Sequence, residues 1–525
     1  MPLHPKTLDV IWSYSKNEQL HMYRKARELK QAYIDNNTEA LDIFRSWPND
    51  QWVYEVFLED STRTKESFRN ALGFHQISAH MFDGAHSSFN KKESYSDTFN
   101  MLTGYNTNLF IVRSKLEWVC TWLDHNGQEY ARRNNLPFRP LFINAWDGKH
   151  EHPTQEMLDE FTFLEKNNWD TSSVHIALVG DLLHGRTVHS KVDGLNIFDS
   201  VRVDCIAPKE IAMPSSYIEI MKSNGFEVRI FDSLDTYFDQ SDRAHVYYFT
   251  RVQLERMWDD ILKKESALRK AITFRKDHLQ FVDETVDTFF HPLPRHKEKP
   301  VLPSFLDNTW LNGRETQSRN GMFIRIIIIW ALLWVSHIVD DFTWEWIIKD
   351  EYVDDFIREV DPKGSSEKSY SEWVRPIENG IVIDHIWKWT PVRQIKQQIT
   401  KIVSLLKLYW KWWEWVSHSS DRVNFKWIIF RPGYTMNSTE IRKLAAIAPG
   451  CTLNFIIDKV VATKLRLSMP PKLYNFSTLS CKNTHCISFL SHHEQVPASF
   501  VREENNIFSC IYCGKHHKYG EVRDI

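Results

Sequence analysis

The hydrophobic pattern of the first part of the chain is one of short apolar runs that alternate with amphipathic stretches. Between about residues 51 and 295 these runs read WVYEVFLED, LFIVRS, PLFINAWDG, VHIALVGD, VRVDCIAP, FEVRIFDS, HVYYFTR and FFHPLPR. Strands separated by helical segments are typical of parallel α/β layers. Because ligands bind beyond the carboxyl ends of such strands, we expect the chemistry in the polar segments that follow the runs.

Further along, the pattern predicts a buried helix, a linker and a second α/β unit. The apolar run at residues 326–335 is half of the ~20 residues that a membrane span needs, and Arg325 and Asp340 lie close by. An acidic segment at residues 339–373 predicts a linker. GIVIDHI, FKWIIFRPG and LNFIIDKVVATKLRL then predict strands, and Asn437 with Glu440 predicts a capping box that begins a helix.

Composition places the chain among soluble multidomain proteins. It has 525 residues, of which 42% are hydrophobic and 25% charged, so one core is too small and about three to four domains are expected. A net charge of -3 gives no general attraction to nucleic acid. The N-terminus lacks a secretory signal, so we expect a cytoplasmic protein without membrane or nucleic-acid partners.

Polar groups follow five of the predicted strands. Ser61, Thr62, Arg63 and Thr64 end a strand and begin a helix, where backbone N–H groups and the helix dipole favour an anion. The other four segments are HPTQ with His152 and Gln155, GRT with Arg186, RVQ with Arg251, and HPLPR from His291. For a segment of this kind alone, a helix cap or a turn is more typical than a binding site.

Taken in this order, the five motifs over residues 45–336 resemble those of the catalytic chain of aspartate carbamoyltransferases. The resemblance implies transfer of the carbamoyl group of carbamoyl phosphate to the α-amino group of L-aspartate, as in de novo pyrimidine biosynthesis. The RVQ and HPLPR forms match the aspartate enzyme, whereas ornithine carbamoyltransferases typically carry HCLP. The resemblance implies parallel-sheet carbamoyl phosphate and aspartate domains.

The resemblance also assigns roles to residues. Carbamoyl phosphate would be bound by Ser61, Thr62, Arg63, Thr64, Arg113, His152 and Gln155, with the backbone of Leu293 and Pro294 near the reacting amine. Aspartate would be bound by Arg186, Thr187, Arg251 and Gln253. Ser87 and Lys91 of a neighbouring subunit would reach the phosphate, with Lys91 also near aspartate, so active sites would be shared within a trimer.

The chemistry of these residues favours direct transfer. Thr64, Arg113 and His152 are candidates for stabilising the tetrahedral oxyanion. Holding two anions in place can supply ~7 to 11 kcal/mol in favourable cases, so neither a side-chain nucleophile nor a catalytic cofactor is needed.

Four of the seven cysteines crowd the end of the chain. Cys481, Cys486, Cys510 and Cys513 form two close pairs, the spacing of a tetrahedral structural zinc with one ion per chain.

The segment from about residue 375 to the end resembles the regulatory chain of the same enzyme. The resemblance implies that an effector nucleotide contacts Asp384, His385 and Lys464. A second lysine of the family is missing, with Phe430 at or near its place. The sequence identifies neither the effector nor the sign of its action.

Two departures from the family pattern affect the expected activity. Trp146 stands where the family has glycine, and Lys92 follows Lys91 where a glycine is common. A tryptophan at a glycine position is strained, so we expect the loop that leads to His152 to be displaced. The alternatives are therefore a catalytically impaired regulatory or scaffold subunit, or a carbamoyltransferase for another amino acid.

The expected organisation has five parts. Residues 1–160 form a carbamoyl phosphate domain, and residues 161–336 an aspartate domain whose last helix returns to the first domain. Residues 337–374 form the linker, 375–471 a small α+β effector-like domain, and 472–525 a zinc-ribbon-like domain. Trp387, Trp389 and the cluster at residues 409–415 predict a buried or interface aromatic surface.

Overall fold

The structure is a computed structural model that describes residues 6–45, 52–148, 150–253, 264–333, 356–361, 377–386, 402–403, 413–418, 425–474, 479–494, 496–503 and 507–522. The chain divides into two compact units, Met1–Ile347 with His485–Ile487, and Ile348–Thr484 with Ser488–Ile525. Trp387, Trp389 and residues 409–412 of the predicted aromatic surface lie outside the described residues, as does most of the predicted linker.

The first half of the first unit is built on a four-stranded parallel sheet in the order β2-β1-β3-β4. Its strands are β1 (Val53–Phe57), β2 (Ala79–Met81), β3 (Leu109–Ser114) and β4 (Leu141–Asp147). The helices of this half are α1 (Lys16–Ile34), α2 (Thr38–Arg45), α3 (Arg63–Phe74), α4 (Tyr95–Gly104), α5 (Val119–Arg133) and α6 (Pro153–Lys166).

The second half is built on a five-stranded parallel sheet in the order β7-β6-β5-β8-β9. Its strands are β5 (Ser173–Val179), β6 (Ser200–Ile206), β7 (Glu227–Phe231), β8 (Val246–Phe249) and β9 (Thr288–Phe290). Its helices are α7 (Arg186–His189), α8 (Lys191–Gly194), α9 (Ser215–Ser223), α10 (Leu234–Phe238), α11 (Glu265–Ile272) and α12 (Arg314–Leu333).

Helix α12 returns to the first half, where it packs against α1, α3 and α6. Its residues 326–332 are all buried, which confirms a core helix for the described part of this apolar run. Among the described residues, no helix combines the length and the hydropathy that a membrane-spanning segment needs.

Short 3-10 helices lie at Ile11–Ser13, Gly84–His86, Ser88–Lys91, Leu195–Ile197, Lys209–Ile211, Lys276–Phe281, Ser304–Leu306 and Leu490–His492.

The second unit contains two antiparallel sheets. The six-stranded sheet has the order β10-β15-β14-β11-β13-β12 and the four-stranded sheet the order β16-β17-β18-β19. The strands are β10 (Ile357–Glu359), β11 (Gly380–Ile386), β12 (Trp413–His418), β13 (Phe425–Pro432), β14 (Thr452–Ile457), β15 (Val460–Leu467), β16 (Lys472–Tyr474), β17 (Ser499–Arg502), β18 (Ile507–Cys510) and β19 (His516–Lys518).

Two details of this unit bear on the predictions. The predicted capping box is confirmed, since helix α13 (Ser438–Ile447) begins after Asn437, whose side chain accepts a hydrogen bond from the Glu440 backbone N–H. Helix α14 (Tyr519–Val522) ends the described chain. The linker prediction is wrong at Ile357–Glu359, because this segment is a strand that pairs with β15 at the edge of the six-stranded sheet.

A buried ion cluster joins α6 to α8. The Lys191 Nζ lies 2.9 Å from a carboxylate oxygen of Glu156 and 2.9 Å from one of Asp159, and none of these side chains is exposed. Burial lowers the pKa of Lys191, but the two carboxylates together outweigh it and the net shift is upward. The ammonium group therefore stays charged and compensates the negative charge on α6.

Lys191→Met is expected to destabilise the first unit by about 3–5 kcal/mol, because it leaves buried carboxylates without their cation. Chemical denaturation measures this loss. Lys25→Met is the matched control, since Lys25 pairs with Glu28 on the surface and is expected to change the stability by about 0.5 kcal/mol or less. Equal effects of the two substitutions would contradict the role of the cluster.

Candidate active site

The carboxyl ends of the parallel strands surround one cleft of about 390 Å³ in the first unit. In the first sheet, Phe57 of β1 lies in register with Arg113 of β3, so the segments that follow neighbouring strands meet at one edge. The cleft is lined by these residues of the predicted site: Ser61, Arg63, Thr64, Arg113, His152, Gln155, Arg186, Thr187, Arg251, Gln253, Leu293 and Pro294. Thr62, Ser87 and Lys91 do not line it.

The N-terminus of α3 faces the cleft with its capping position unused. Thr62 occupies the N-cap position but makes no side-chain capping hydrogen bond. Helix caps by Ser or Thr normally satisfy one of the free backbone N–H groups of the first turn. The first-turn donors and the side chains of Ser61, Arg63 and Thr64 therefore converge on one end of the cleft, where the helix dipole favours an anion.

Positive charge dominates the lining of the cleft. Five arginines contribute to it: Arg63, Arg113, Arg186, Arg251 and Arg325. Burial lowers the pKa of Arg113 to about 10, opposed by Glu59 and reinforced by Arg63. Burial likewise lowers the pKa of Arg325 to about 10, although Asp159 opposes the shift. Both guanidinium groups remain charged at neutral pH, so the cleft suits a ligand that carries several negative charges.

His152 provides a neutral imidazole in this positive surrounding. Burial, together with Arg325 and Arg113, holds the pKa of His152 well below its usual value. Its Nε2 lies 3.4 Å from the Thr64 Oγ1. The neighbouring Gln155 is held by its own helix, since its Nε2 donates to the Asp159 Oδ1 at 2.9 Å. An uncharged ring at this place can donate a hydrogen bond to a carbonyl oxygen without losing a proton.

The far side of the cleft comes from the second sheet. Gln253 is fixed there by two hydrogen bonds, from its backbone N–H to the Asp181 Oδ2 at 3.1 Å and from its Nε2 to the His184 carbonyl at 2.9 Å. The Leu293–Pro294 peptide bond is cis, and Leu293 has φ +58°. The HPLPR segment follows β9, and His291, Pro292, Leu293 and Pro294 of this segment line the cleft.

The lining residues to which the sequence analysis gave no role include His291, Gln317 and Arg325. Burial and nearby arginines lower the pKa of His291 to about 3. Its Nδ1 accepts the Leu293 backbone N–H at 2.8 Å, so the ring proton of the neutral form lies on Nε2. Two signals were available: His291 directly follows a strand, and Arg325 is a charged residue at the head of an apolar run.

Trp146 lies in the cleft with its backbone at φ +123°, so the expected strain at this glycine position is confirmed. The expected displacement of the loop is wrong, because His152 lines the cleft together with the other motifs. The indole packs against two guanidinium groups, those of Arg113 and Arg186. Lys92, at the other glycine-like position, also has positive φ, at +66°.

Two further groups of predicted residues lie in the second half of the chain. The ligand atoms of Cys481, Cys486, Cys510 and Cys513 all lie within 4.8 Å of one another, and the His517 Nε2 lies 3.5 Å from the Cys481 Sγ. In the six-stranded sheet, Asp384 pairs with Thr452 and Lys464 pairs with Asn454. Asp384 and Lys464 therefore project from the same face, on either side of β14, and His385 follows Asp384 with φ +60°.

Three family models match the chain. The carbamoyl-P binding domain of aspartate/ornithine carbamoyltransferase matches residues 6–165. The allosteric domain of the aspartate carbamoyltransferase regulatory chain matches residues 372–468. The metal-binding domain of the same regulatory chain matches residues 471–523.

Relatives of similar length exist. Protein PyrBI of Treponema denticola is 49% identical over 98% of both chains, and Protein PyrBI of Thermotoga maritima is 47% identical over 99% of both. Among solved structures, the aspartate transcarbamoylase of Trypanosoma cruzi in complex with N-(phosphonacetyl)-L-aspartic acid shows 26% identity over 63% of this chain and 96% of its own, with a TM-score of 0.52. The catalytic subunit from M. jannaschii shows 28% identity over 63% of this chain and 98% of its own, with a TM-score of 0.53.

Proposed function

The chain belongs to the aspartate carbamoyltransferase family, as a catalytic chain fused to a regulatory chain, and we propose that the arginine-lined cleft is where its reaction takes place. The enzyme transfers the carbamoyl group of carbamoyl phosphate to L-aspartate and releases phosphate. The observation that carries the assignment is the convergence of guanidinium groups from both parallel sheets on one cleft. Both substrates are anions, and each half of the cleft offers cations for one of them.

The phosphate of carbamoyl phosphate lies at the N-terminus of α3. Ser61, Arg63 and Thr64, which line the cleft, bind its oxygens, and Thr62, which does not line it, contributes as the N-cap residue of α3. Arg113 bridges the phosphate and the carbamoyl oxygen. His152 and Gln155 contact the carbamoyl group. The free N-cap position, the neutral His152 and the charged Arg113 support these roles.

L-Aspartate lies on the other side of the cleft, where Arg186, Thr187, Arg251 and Gln253 bind its carboxylates. Guanidinium groups suit this task because they bind carboxylates through two parallel hydrogen bonds. The backbone of Leu293 and Pro294 holds the α-amino group toward the carbamoyl carbon. Leu293 and Pro294 line the same cleft as Arg186 and Arg251.

The reaction proceeds by direct attack of the uncharged amine. The amine nitrogen forms a bond to the carbamoyl carbon, and the carbonyl oxygen takes on negative charge next to Thr64, Arg113 and His152. The bond from carbon to the phosphate oxygen then breaks, phosphate leaves with the electron pair, and the leaving phosphate takes up the extra proton of the nitrogen. No residue of the cleft has to become covalently attached to the substrate.

The C-terminal part of the chain matches a metal-binding domain and carries a cluster of four cysteines, and we propose that their thiolates bind zinc. Four sulfur atoms at the Zn–S distance of a tetrahedral site lie ~3.8 Å from one another, a spacing that thiols within 4.8 Å of one another can adopt. We also propose that Asp384, His385 and Lys464 contact a nucleotide effector, since the carboxylate of Asp384 and the ammonium group of Lys464 project from one sheet face and His385 is adjacent to Asp384 in the chain.

The activity is tested by the formation of N-carbamoyl-L-aspartate. The unmodified chain is expected to form it, and Arg63→Ala is expected to lower kcat/KM by about a hundredfold or more, because a cation at the phosphate is lost. Arg133→Ala on the exposed face of α5 is the control and should leave the rate unchanged. Product formation with an amino acid other than aspartate would contradict the assignment.

A shared active site is tested by mixing two inactive variants. Ser87 and Lys91 lie away from the cleft of their own chain, and Lys91 is exposed, as expected if both serve a neighbour. Lys91→Ala and Arg63→Ala chains, dissociated and reassembled together, are expected to regain about a quarter of the unmodified activity in a cyclic trimer. The same mixture of Arg63→Ala with Arg186→Ala is the control, because both residues serve the same cleft, and it should regain none.

The metal is tested by elemental analysis of the purified chain. About one zinc per chain is expected, and Cys510→Ser together with Cys513→Ser should abolish it, because one pair of thiolates is removed. Cys205→Ala, which removes a buried thiol of β6, should retain the zinc. A zinc content that survives the double substitution would show that the metal lies elsewhere.

A further inference from the structure

The backbone of Trp146 adopts a conformation that L-amino acids rarely take. Its φ of +123° lies in the region that favours glycine. The side chain is only 8% exposed, and the backbone N–H donates to the Asn144 Oδ1 at 2.9 Å. Glycine would adopt the same backbone conformation without strain. The contacts of the indole side chain therefore have to explain why a tryptophan stands at this position.

The indole contacts one arginine from each half of the cleft. The Cζ of Arg113, which belongs to β3, lies 3.9 Å from the ring centroid. The Cζ of Arg186, which begins α7, lies 3.8 Å from the same centroid. Trp146 therefore links a residue assigned to carbamoyl phosphate with a residue assigned to aspartate.

Stacking on a ring leaves both arginines able to bind anions. A guanidinium group that stacks uses its face, while its N–H groups lie in the plane at its edge. Among the described residues, the Nε atoms of Arg113 and Arg186 are buried and have no hydrogen-bond acceptor. A carboxylate in place of the indole would occupy these N–H groups and would compete with the substrates. The negative ring face holds the cations in place without such competition.

We propose that Trp146 is a positioning residue that holds Arg113 and Arg186 at their working places before either substrate binds. This role rests on the proposed function, since the proposed function assigns both arginines to substrate anions. The ring lowers the mutual repulsion of two partly buried cations and restricts their side chains. Removal of the ring leaves both arginines present but less ordered, so the substrates must supply the order on binding.

Trp146→Gly and Trp146→Phe form a matched pair. Glycine removes the ring and relieves the backbone, whereas phenylalanine keeps a ring for stacking. Trp146→Gly is expected to raise the KM for aspartate by about tenfold or more, with a smaller change in kcat and a melting temperature no lower than that of the unmodified chain. Trp146→Phe is expected to retain most of the affinity for aspartate that the unmodified chain has.

Coupling to Arg186 separates this role from mere filling of space. In the presence of Arg186→Met, the substitution Trp146→Gly should change the KM for aspartate by much less than it does in the unmodified chain, because the arginine it positions is already gone. Unchanged aspartate kinetics in Trp146→Gly, equal losses in the Phe and Gly variants, or additive losses with Arg186→Met would each overturn the proposal. Absence of N-carbamoyl-L-aspartate formation by the unmodified chain would instead overturn the proposed function, on which this role depends.

Discussion

Positive charge held in a partly buried cleft is the constraint on which the catalytic half of this chain depends. Five guanidinium groups line one cleft, and burial works against the charge of at least Arg63, Arg113 and Arg325, as the downward shifts of their pKa values indicate. Such an arrangement costs free energy in the absence of a ligand. It is useful when the ligands are anions, because the cations are then already in place and water need not reorganise around them.

The fold keeps these cations together through features far from the ligands. Two parallel sheets direct their carboxyl ends to one cleft, and α12 returns to pack on the first half, bringing Arg325 and Gln317 to the cleft floor. Lys191 forms ion pairs with Glu156 and Asp159 of α6 and so holds this helix in place. Asp159 also accepts a hydrogen bond from Gln155. Stability and binding geometry are therefore linked through one helix.

Much of this arrangement could be predicted from the sequence, because the carboxyl ends of parallel strands share an edge. The eight apolar runs are strands β1 and β3–β9, and twelve of the site residues that the family resemblance implied line the cleft. Prediction from local composition was wrong where tertiary contacts determine the secondary structure. Ile357–Glu359 lies in an acidic segment but is a strand because it pairs with β15. Trp146 was expected to displace a loop, yet two arginines provide a place for its ring. Ser87, Lys91 and the nucleotide contacts depend on a neighbour or a ligand and stay predictions.

The most direct test of the central claim is a calorimetric titration of the unmodified chain with N-(phosphonacetyl)-L-aspartate, compared with phosphonoacetate and with aspartate alone. A ligand that carries both sets of anionic groups on one framework engages the cations of both halves at once. The account predicts that it binds at one site per chain and far more tightly than either fragment. Binding no tighter than that of the better fragment would mean that the two sets of arginines do not act on one pair of substrates, and would contradict the account.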